Sequence, residues 1–167
     1  MTPDDLVLTR FGVRFKGRLF PATIGRHGIT RHKREGDCAT PSGIHTVIGM
    51  MFRPDRIAAS RLPGWAVPIG PQDLWCDAPD HPDYNRLVHA PFHASHERMH
   101  RADPLYDLVL LTDWNVGPSL PHKGSAIFLH QMRRPGYPTA GCVAFSRPHL
   151  LWIARRLHLG AKLIVRP

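Results

Sequence analysis

Residues 125–145 read SAIFLHQMRRPGYPTAGCVAF and contain the clearest chemical pattern in the chain. The apolar run Ala126–Leu129 is typical of a buried β-strand and leads directly to His130. A loop rich in turn-forming residues then leads to Gly141 and Cys142. A histidine at a strand end and a cysteine behind a glycine are the parts of a thiolate–imidazolium pair, which combines a nucleophile with its own acid and base. The spacing suits a site with a cysteine nucleophile, and the alternative interpretation is a core cysteine and a surface histidine.

The step from Gly141 to Cys142 also suits the oxyanion of such a reaction. Glycine lets the backbone turn sharply, so the amides of these two residues are expected to face one carbonyl oxygen. His130 is the natural proton carrier, because an adjacent imidazole lowers the pKa of a thiol and later protonates the leaving group. Either Gln131 or a backbone carbonyl would orient the imidazole, and no third member of the catalytic set is assigned.

Most of the remaining regular patterns are those of β-strands. The predicted strands are Leu6–Thr9, Val13–Lys16, Leu19–Ile24, Ile44–Met51, Leu105–Thr112, Ala126–His130 and Ala161–Val165. One principal α-helix is expected after Cys142, since Ser146 and Pro148 are typical of a helix start and Gly160 of a helix end. The expected fold is mostly β with this one helix, in a single domain that spans residues 1–167.

Two long stretches lack such periodicity. Residues 25–43 are predicted to be a polar loop, and residues 53–92 are rich in proline, which disfavours long regular elements. Long irregular segments inside a compact domain are usually functional. We therefore expect residues 53–92 to form a lid or a wall of a binding cleft.

The charge of the chain favours anionic partners. It has 22 Lys and Arg against 13 Asp and Glu, which suits nucleic acid, an acidic peptide or a cell-wall polymer without choosing among them. The basic residues are scattered and no recognition motif is visible, but a basic nucleic-acid-binding domain stays open as an alternative. No apolar stretch is long enough for a membrane span, and no signal peptide is visible at the N-terminus.

The three cysteines are widely spaced, with no C-x-x-C pair of the kind that binds metals. Cys38 and Cys76 are expected to be small buried apolar residues. Whether they pair as a disulfide stays open.

A rival pattern lies at residues 96–100, which read HERMH and match H-E-x-x-H. On a helix, His96 and His100 would share one face and Glu97 would be the general base of a zinc peptidase. Pro91 and Pro104 leave little room for such a helix, and no third ligand stands at a recognised spacing. The alternative interpretation is a short surface helix with exposed histidines.

Three segments together resemble one enzyme family. Residues 138–145, PTAGCVAF, resemble the [ST]-x-G-C motif of L,D-transpeptidases of the YkuD type, in which a histidine lies upstream at a strand end, as His130 does. Residues 34–44, REGDCATPSGI, resemble the family's T-P-x-G-x-F element. Residues 84–88, YNRLV, resemble the pocket-side segment of shorter members. The resemblance extends over about residues 25–165.

The resemblance implies a β-sandwich and acyl transfer on peptidoglycan stem peptides. It makes Cys142 the nucleophile and His130 its base and acid, with oxyanion amides from Gly141 and Cys142 and Thr139 at the Ser/Thr position. The thiolate would attack a donor carbonyl at an L-to-D junction, and the side-chain amine of a diaminopimelate would then take the acyl group. The resemblance implies no metal or organic cofactor, a monomer, and a place in the periplasm or cell envelope.

Two positions depart from the family pattern, with Ala140 before the glycine and Ala144 two residues after the cysteine. Since alanine lacks polar side-chain groups, other residues are expected to hold the substrate. The candidates are Thr139, Arg133, Arg134, Tyr84, Asn85 and Arg86. Crosslinks of the 3–3 or 1–3 type, and hydrolysis of stem or lipoprotein links by the same fold, all stay open.

Overall fold

Fifteen strands and one α-helix form the regular structure of residues 2–167, the part of the chain that this computed structural model describes. The strands are β1 (Leu6–Thr9), β2 (Gly12–Phe15), β3 (Arg18–Phe20), β4 (Ala22–Thr23), β5 (Ile29–Thr30), β6 (Thr40–Pro41), β7 (Gly43–Phe52), β8 (Ala66–Pro68), β9 (Asp73–Cys76), β10 (Leu87–His89), β11 (His96–Arg98), β12 (Leu108–Thr112), β13 (Phe128–Gln131), β14 (Val143–Phe145) and β15 (Lys162–Val165). The helix α1 is Arg147–Ala154, and short 3-10 helices lie at Ala59–Arg61 and Pro104–Tyr106.

Ten of these strands form one large sheet, in the order β3-β2-β1-β15-β7-β12-β13-β14-β4, with β8 beside β7. The two ends of this order, β3 and β4, are separated in the chain only by Pro21, so the sheet curls back almost onto itself. The long strand β7 lies between two halves of this sheet, one that begins at β15 and one that begins at β12. Its first residues pair with β15 and its later residues pair with β12.

The main apolar core lies between these halves. Leu6, Val13, Phe15, Val47, Leu110, Leu129, Phe145 and Leu163 are among its fully or almost fully buried members. The helix α1 adds Leu150, Ile153 and Ala154 to the same core. Because burial of apolar surface is the dominant favourable term in folding, this cluster holds β13 and β14 firmly in place.

A second sheet of three strands, in the order β10-β9-β11, contributes to a separate apolar cluster. Its Trp75 packs edge-on against Phe128 of β13, with ring centroids 4.9 Å apart. Met99 and Tyr106 are buried in the same cluster, and Cys142 packs against it. The proline-rich region thus supplies two strands of a small sheet that rests against β13, next to the residues predicted to be catalytic.

The predicted fold class, a mostly β sandwich with one principal helix, is confirmed. The helix begins after Ser146 as predicted, although it ends at Ala154, earlier than the apolar pattern indicated. The predicted strand Leu19–Ile24 is broken at Pro21, which has no amide hydrogen for a ladder. The first residues of the predicted strand Leu105–Thr112 are 3-10 helix. No helix in residues 2–167 has the length and apolar character needed to cross a membrane.

Candidate active site

His130 lies in β13, and Cys142 comes directly before the neighbouring parallel strand β14. In the register of β13 and β14, Leu129 is opposite Val143 and His130 is opposite Ala144. Cys142 is therefore level with Phe128, and the alternation of side chains along a strand places it on the same face as His130. Both residues line one cavity of about 300 Å³. The structure thus brings the two predicted residues together.

The Cys142 side chain is partly buried, and its thiol makes two hydrogen bonds. Sγ donates to the carbonyl of Ala126 at 2.9 Å and accepts from the Phe128 amide at 3.4 Å. Burial raises the pKa of Cys142 to about 12, against the opposing effect of the Phe128 amide. The charge of Glu97 raises this pKa further, and that of Lys33 lowers it. The Cys142 side chain is therefore a neutral thiol in this structure.

The imidazole of His130 is oriented by the backbone. Nδ1 lies 2.8 Å from the carbonyl oxygen of Gln131, and since a carbonyl only accepts, Nδ1 carries the proton and Nε2 has the free lone pair. Burial lowers the pKa of His130 to about 4. The thiolate–imidazolium pair expected from the sequence is therefore not favoured at rest, because burial disfavours both charges.

Gly141 occupies a position that only glycine fits. Its φ is +141°, and a Cβ there would lie 2.9 Å from the carbonyl oxygen of Ala39. Its carbonyl accepts a 2.7 Å hydrogen bond from Thr40 Oγ1, which also accepts from the Gly25 amide at 2.9 Å. The Thr-Pro-Ser-Gly and Gly-Cys segments are thus joined directly.

The two amides expected to face an oxyanion differ in their availability. The Gly141 amide donates to Thr139 Oγ1 at 3.1 Å, and that hydroxyl donates to the Cys142 carbonyl at 2.6 Å. The Cys142 amide, in contrast, makes no hydrogen bond within residues 2–167. In this conformation the Cys142 amide is the free donor, and Thr139 acts on the shape of the turn.

Asn85 is buried and holds the backbone of Ala126, whose carbonyl contacts the Cys142 thiol. Its Oδ1 accepts from Trp75 Nε1 at 3.0 Å and from the Ala126 amide at 2.9 Å, and its Nδ2 donates to the carbonyls of Trp114 and Asn115. All four hydrogen-bonding positions of the amide are used. Ala126, at φ +47°, then presents its carbonyl to the Cys142 thiol.

The predicted substrate contacts Tyr84, Asn85 and Arg86 do not line this cavity. Tyr84 is buried and donates to Glu35, and burial raises the pKa of its phenol. Arg86 reaches the Gly117 carbonyl at 3.4 Å, in a separate depression. Their polar groups bond within the protein, so the structure does not bring these three residues to the cavity of Cys142 and His130, and their contact with substrate stays a prediction.

Of the two predicted arginines, Arg133 lines the cavity and Arg134 does not; both stack on Tyr137. The cavity also receives Arg26, Arg101 and Glu97, which sequence reasoning did not assign to this site. Lys33, buried nearby, donates to Asp37 and to the Arg34 carbonyl. The sequence singled out Glu97 only within the H-E-x-x-H pattern, which did not indicate that it would lie at this cavity.

Residues 96–100 lack the arrangement that a zinc peptidase requires. Residues 96–98 form the strand β11 instead of a helix, and Glu97 accepts a hydrogen bond from the Tyr106 hydroxyl. No group of three or more His, Cys, Asp or Glu side chains suited to a metal ion occurs in residues 2–167. The alternative of a short surface helix is wrong as well.

Comparison with protein families gives one extensive match. The model of the YkuD family, the L,D-transpeptidase catalytic domain, matches residues 7–165. The chain therefore belongs to the YkuD family of L,D-transpeptidase catalytic domains. The family acts on peptidoglycan and is generally associated with the cell envelope. Neither the curated proteins nor the solved structures compared with the chain include a significant match.

Proposed function

We propose that the chain is a peptidoglycan L,D-transpeptidase that works through a thioester at Cys142. The observation that carries this proposal is that Cys142, directly before β14, and His130, in the neighbouring parallel strand β13, line one cavity within a YkuD domain. The proposal extends to residues 1–167 acting as a single catalytic domain, as a monomer, in the periplasm or cell envelope.

In the acylation step, Nε2 of His130 takes the thiol proton and Sγ attacks the donor carbonyl at the L-to-D junction. The free amide of Cys142 is placed to donate to the oxyanion that forms. The imidazolium then protonates the leaving amine of the terminal D-residue, and the acyl group stays on sulfur. The low pKa of His130 makes its imidazolium a strong acid for this last transfer.

Before substrate binds, burial keeps both groups neutral. Proton transfer from Cys142 to His130 is then coupled to attack instead of preceding it. The Phe128 amide and the charge of Lys33 both favour the thiolate during this transfer. The nucleophile is protected by this arrangement, since the thiolate is the form that reacts with oxidants and electrophiles.

The basic lining of the cavity supports an acidic peptide as the donor. Arg26, Arg101 and Arg133 all line it, and guanidinium groups suit carboxylates such as those of stem peptides. In the second step, the diaminopimelate side-chain amine of another stem attacks the thioester to give a 3–3 or 1–3 crosslink. Attack by water would instead give hydrolysis, which is the alternative within the same fold.

The test is intact-mass and muropeptide analysis after incubation with purified stem peptides. The wild type should carry a donor adduct at Cys142 and release a crosslinked product, and Cys142→Ala should do neither. Cys76→Ala is the matched control, because Cys76 is a free cysteine in β9 outside the cavity. Crosslinking by a folded Cys142→Ala variant would overturn the proposal.

A further inference from the structure

Glu97 introduces a negative charge into a cavity that is otherwise basic. Among residues 2–167 it is the one carboxylate that lines the cavity of Cys142 and His130. The chain's other glutamate, Glu35, accepts from Tyr84 outside the cavity. Of the chain's two glutamates, Glu97 alone therefore places its charge in the catalytic cavity.

The side chain of Glu97 is held in place by the small sheet and by Tyr106. Glu97 is the central residue of β11 and lies opposite Trp75 of β9, which packs on β13. One of its carboxylate oxygens accepts from the Tyr106 hydroxyl, while the other forms no hydrogen bond in the described part of the chain. Tyr106 is buried, and its ring meets His130 edge-on with centroids 5.5 Å apart. The carboxylate is thereby fixed relative to the catalytic imidazole.

This charge opposes the first half of the reaction. The charge of Glu97 raises the pKa of the Cys142 thiol and that of the Tyr106 phenol. For both groups, burial is the larger cause of the raised pKa. An anion near a cysteine nucleophile makes thiolate formation harder. The guanidinium of Arg101 lies near enough for Glu97 to raise its pKa, but that guanidinium is paired with Asp103. The free oxygen of Glu97 is therefore left for a further cation, which would bind in the second half of the reaction, when the sulfur is acylated and carries no charge.

We propose that Glu97, oriented by Tyr106, binds the ammonium group of the acceptor and so favours resolution of the acyl-enzyme by an amine over resolution by water. This inference rests on the proposed function, in which the acceptor is a side-chain amine. A primary ammonium ion presents three N–H donors, and the unpartnered oxygen of Glu97 is an acceptor for one of them. The basic groups of the cavity would repel the same ammonium, which leaves Glu97 as its anchor.

The transfer step balances as follows. The bound ammonium loses one proton to water, and the free amine attacks the thioester carbonyl carbon, forming a C–N bond. His130 Nε2 takes a second proton from that nitrogen. The C–S bond then breaks, and His130 returns this proton to the Cys142 sulfur. The products are an amide that keeps one N–H, the neutral thiol, and one proton in solution.

The test separates acylation from transfer. The donor is a stem tetrapeptide whose side-chain amine is acetylated, so that it cannot serve as acceptor. The acceptor is a stem tripeptide with its amine free, which lacks the terminal D-residue and so cannot serve as donor. In Glu97→Gln, the acyl-enzyme should still form, within about threefold of the wild-type rate. The ratio of crosslinked to hydrolysed product should fall by about tenfold or more, the expected scale for loss of one favourable charge contact.

Two variants act as controls. Glu35→Gln removes the matching carboxylate outside the cavity and should leave the product ratio unchanged. Tyr106→Phe keeps the Glu97 charge but removes the hydroxyl that orients it, so its ratio should fall less than that of Glu97→Gln. An unchanged ratio in Glu97→Gln would overturn the inference. A wild type that forms no acyl-enzyme would instead overturn the proposed function.

A measurement on the wild type covers the case in which Glu97→Gln does not fold. An acceptor analogue whose amine is replaced by a trimethylammonium group keeps the positive charge but is not a nucleophile. It should inhibit crosslinking, whereas the N-acetylated, neutral analogue should not. Equal inhibition by the charged and neutral analogues, or none by either, would contradict an anionic acceptor site.

Discussion

The Thr40 hydroxyl donates a 2.7 Å hydrogen bond to the carbonyl of Gly141, 101 residues further along the chain. Thr40 is completely buried, and the same hydroxyl accepts from the Gly25 amide. Two segments that are distant in sequence therefore determine together how the turn before the nucleophile is shaped. The conformation of that turn sets the direction of the Cys142 amide, the free donor for an oxyanion.

Replacing Thr40 with valine keeps the shape of the side chain but removes both hydrogen bonds. It leaves the Gly141 carbonyl and the Gly25 amide without these partners, so we expect a loss of about 1–3 kcal/mol in the free energy of unfolding. We also expect kcat for acylation to fall by about tenfold or more, because the oxyanion donor is displaced. Denaturant unfolding and acylation kinetics measure the two effects. Thr23→Val is the control, since the buried Thr23 hydroxyl has no partner within residues 2–167.

The buried His130 should make stability depend on pH. Burial lowers its pKa from 6.5 to about 4, so the folded protein binds this proton less readily than the unfolded chain does. The stabilisation is complete above pH 6.5 and is lost as the pH falls towards 4, with a slope approaching about 1.4 kcal/mol per pH unit. Thermal or denaturant unfolding between pH 4 and 8 measures it.

The slope of the unfolding free energy against pH is compared between the wild type and the His130→Asn variant. His45 is also buried with a lowered pKa and contributes in the same direction, so only the difference between the two proteins isolates His130. An identical pH dependence in the variant and the wild type would show that His130 titrates normally.

The neutral Cys142 thiol should alkylate slowly at neutral pH. Because burial raises its pKa to about 12, its thiolate is scarce at pH 7, and its rate with iodoacetamide should still be rising above pH 9. Cys38, which lies in the same cavity and is partly exposed, is first replaced with serine so that only Cys142 reacts there. Peptide mass mapping over a pH series gives the rate. A plateau already reached at pH 7 would indicate a preformed thiolate.

Lys33 should favour the thiolate of Cys142 through its charge. Lys33→Met removes that charge and is expected to lower the alkylation rate at pH 9 by severalfold. Since Lys33 is paired with Asp37, the variant is made together with Asp37→Asn so that no partly buried carboxylate loses its partner. Asp37→Asn alone serves as the reference. A double variant that reacts as fast as this reference would contradict the effect.

Asn85 is expected to position the nucleophile through Ala126. Asn85→Asp keeps the size and the acceptor Oδ1 but replaces Nδ2, which donates to the Trp114 and Asn115 carbonyls, with a second acceptor oxygen. We expect kcat to fall at least tenfold with little change in KM, since Asn85 does not line the cavity. A rise in KM with unchanged kcat would instead indicate direct contact with the substrate.

The sequence contained enough to predict the class of fold and the pair at the centre of the site. Strands such as Leu6–Thr9 and the start of α1 follow from local alternation, capping and apolar spacing, which act over a few residues. Cys142 and His130 could be proposed as a pair because they lie close together in the chain, and the pairing of β13 with β14 keeps them close in the fold.

Residues 96–100 show where local pattern was insufficient. The spacing of His96 and His100 suits a helix face, yet pairing with β9 and burial of Met99 make residues 96–98 a strand. That pairing brings Glu97 to Tyr106 and to the cavity. Residues 96–98 form a strand because of contacts with a distant part of the chain. Such contacts outweigh the intrinsic secondary-structure propensity of a short segment.

The sequence by itself determined the family, the mostly β architecture and the order of the chemical motifs around the Gly-Cys step. Only the tertiary structure decided the protonation states of Cys142 and His130 and the hydrogen bonds that hold the Gly-Cys turn. The neutral thiol and imidazole result from burial beneath residues that are remote in sequence. Thr40, Asn85 and Glu97 acquire their roles only when separate sheets pack together, because hydrogen bonds and charge effects depend on distances in space, which sequence spacing does not specify.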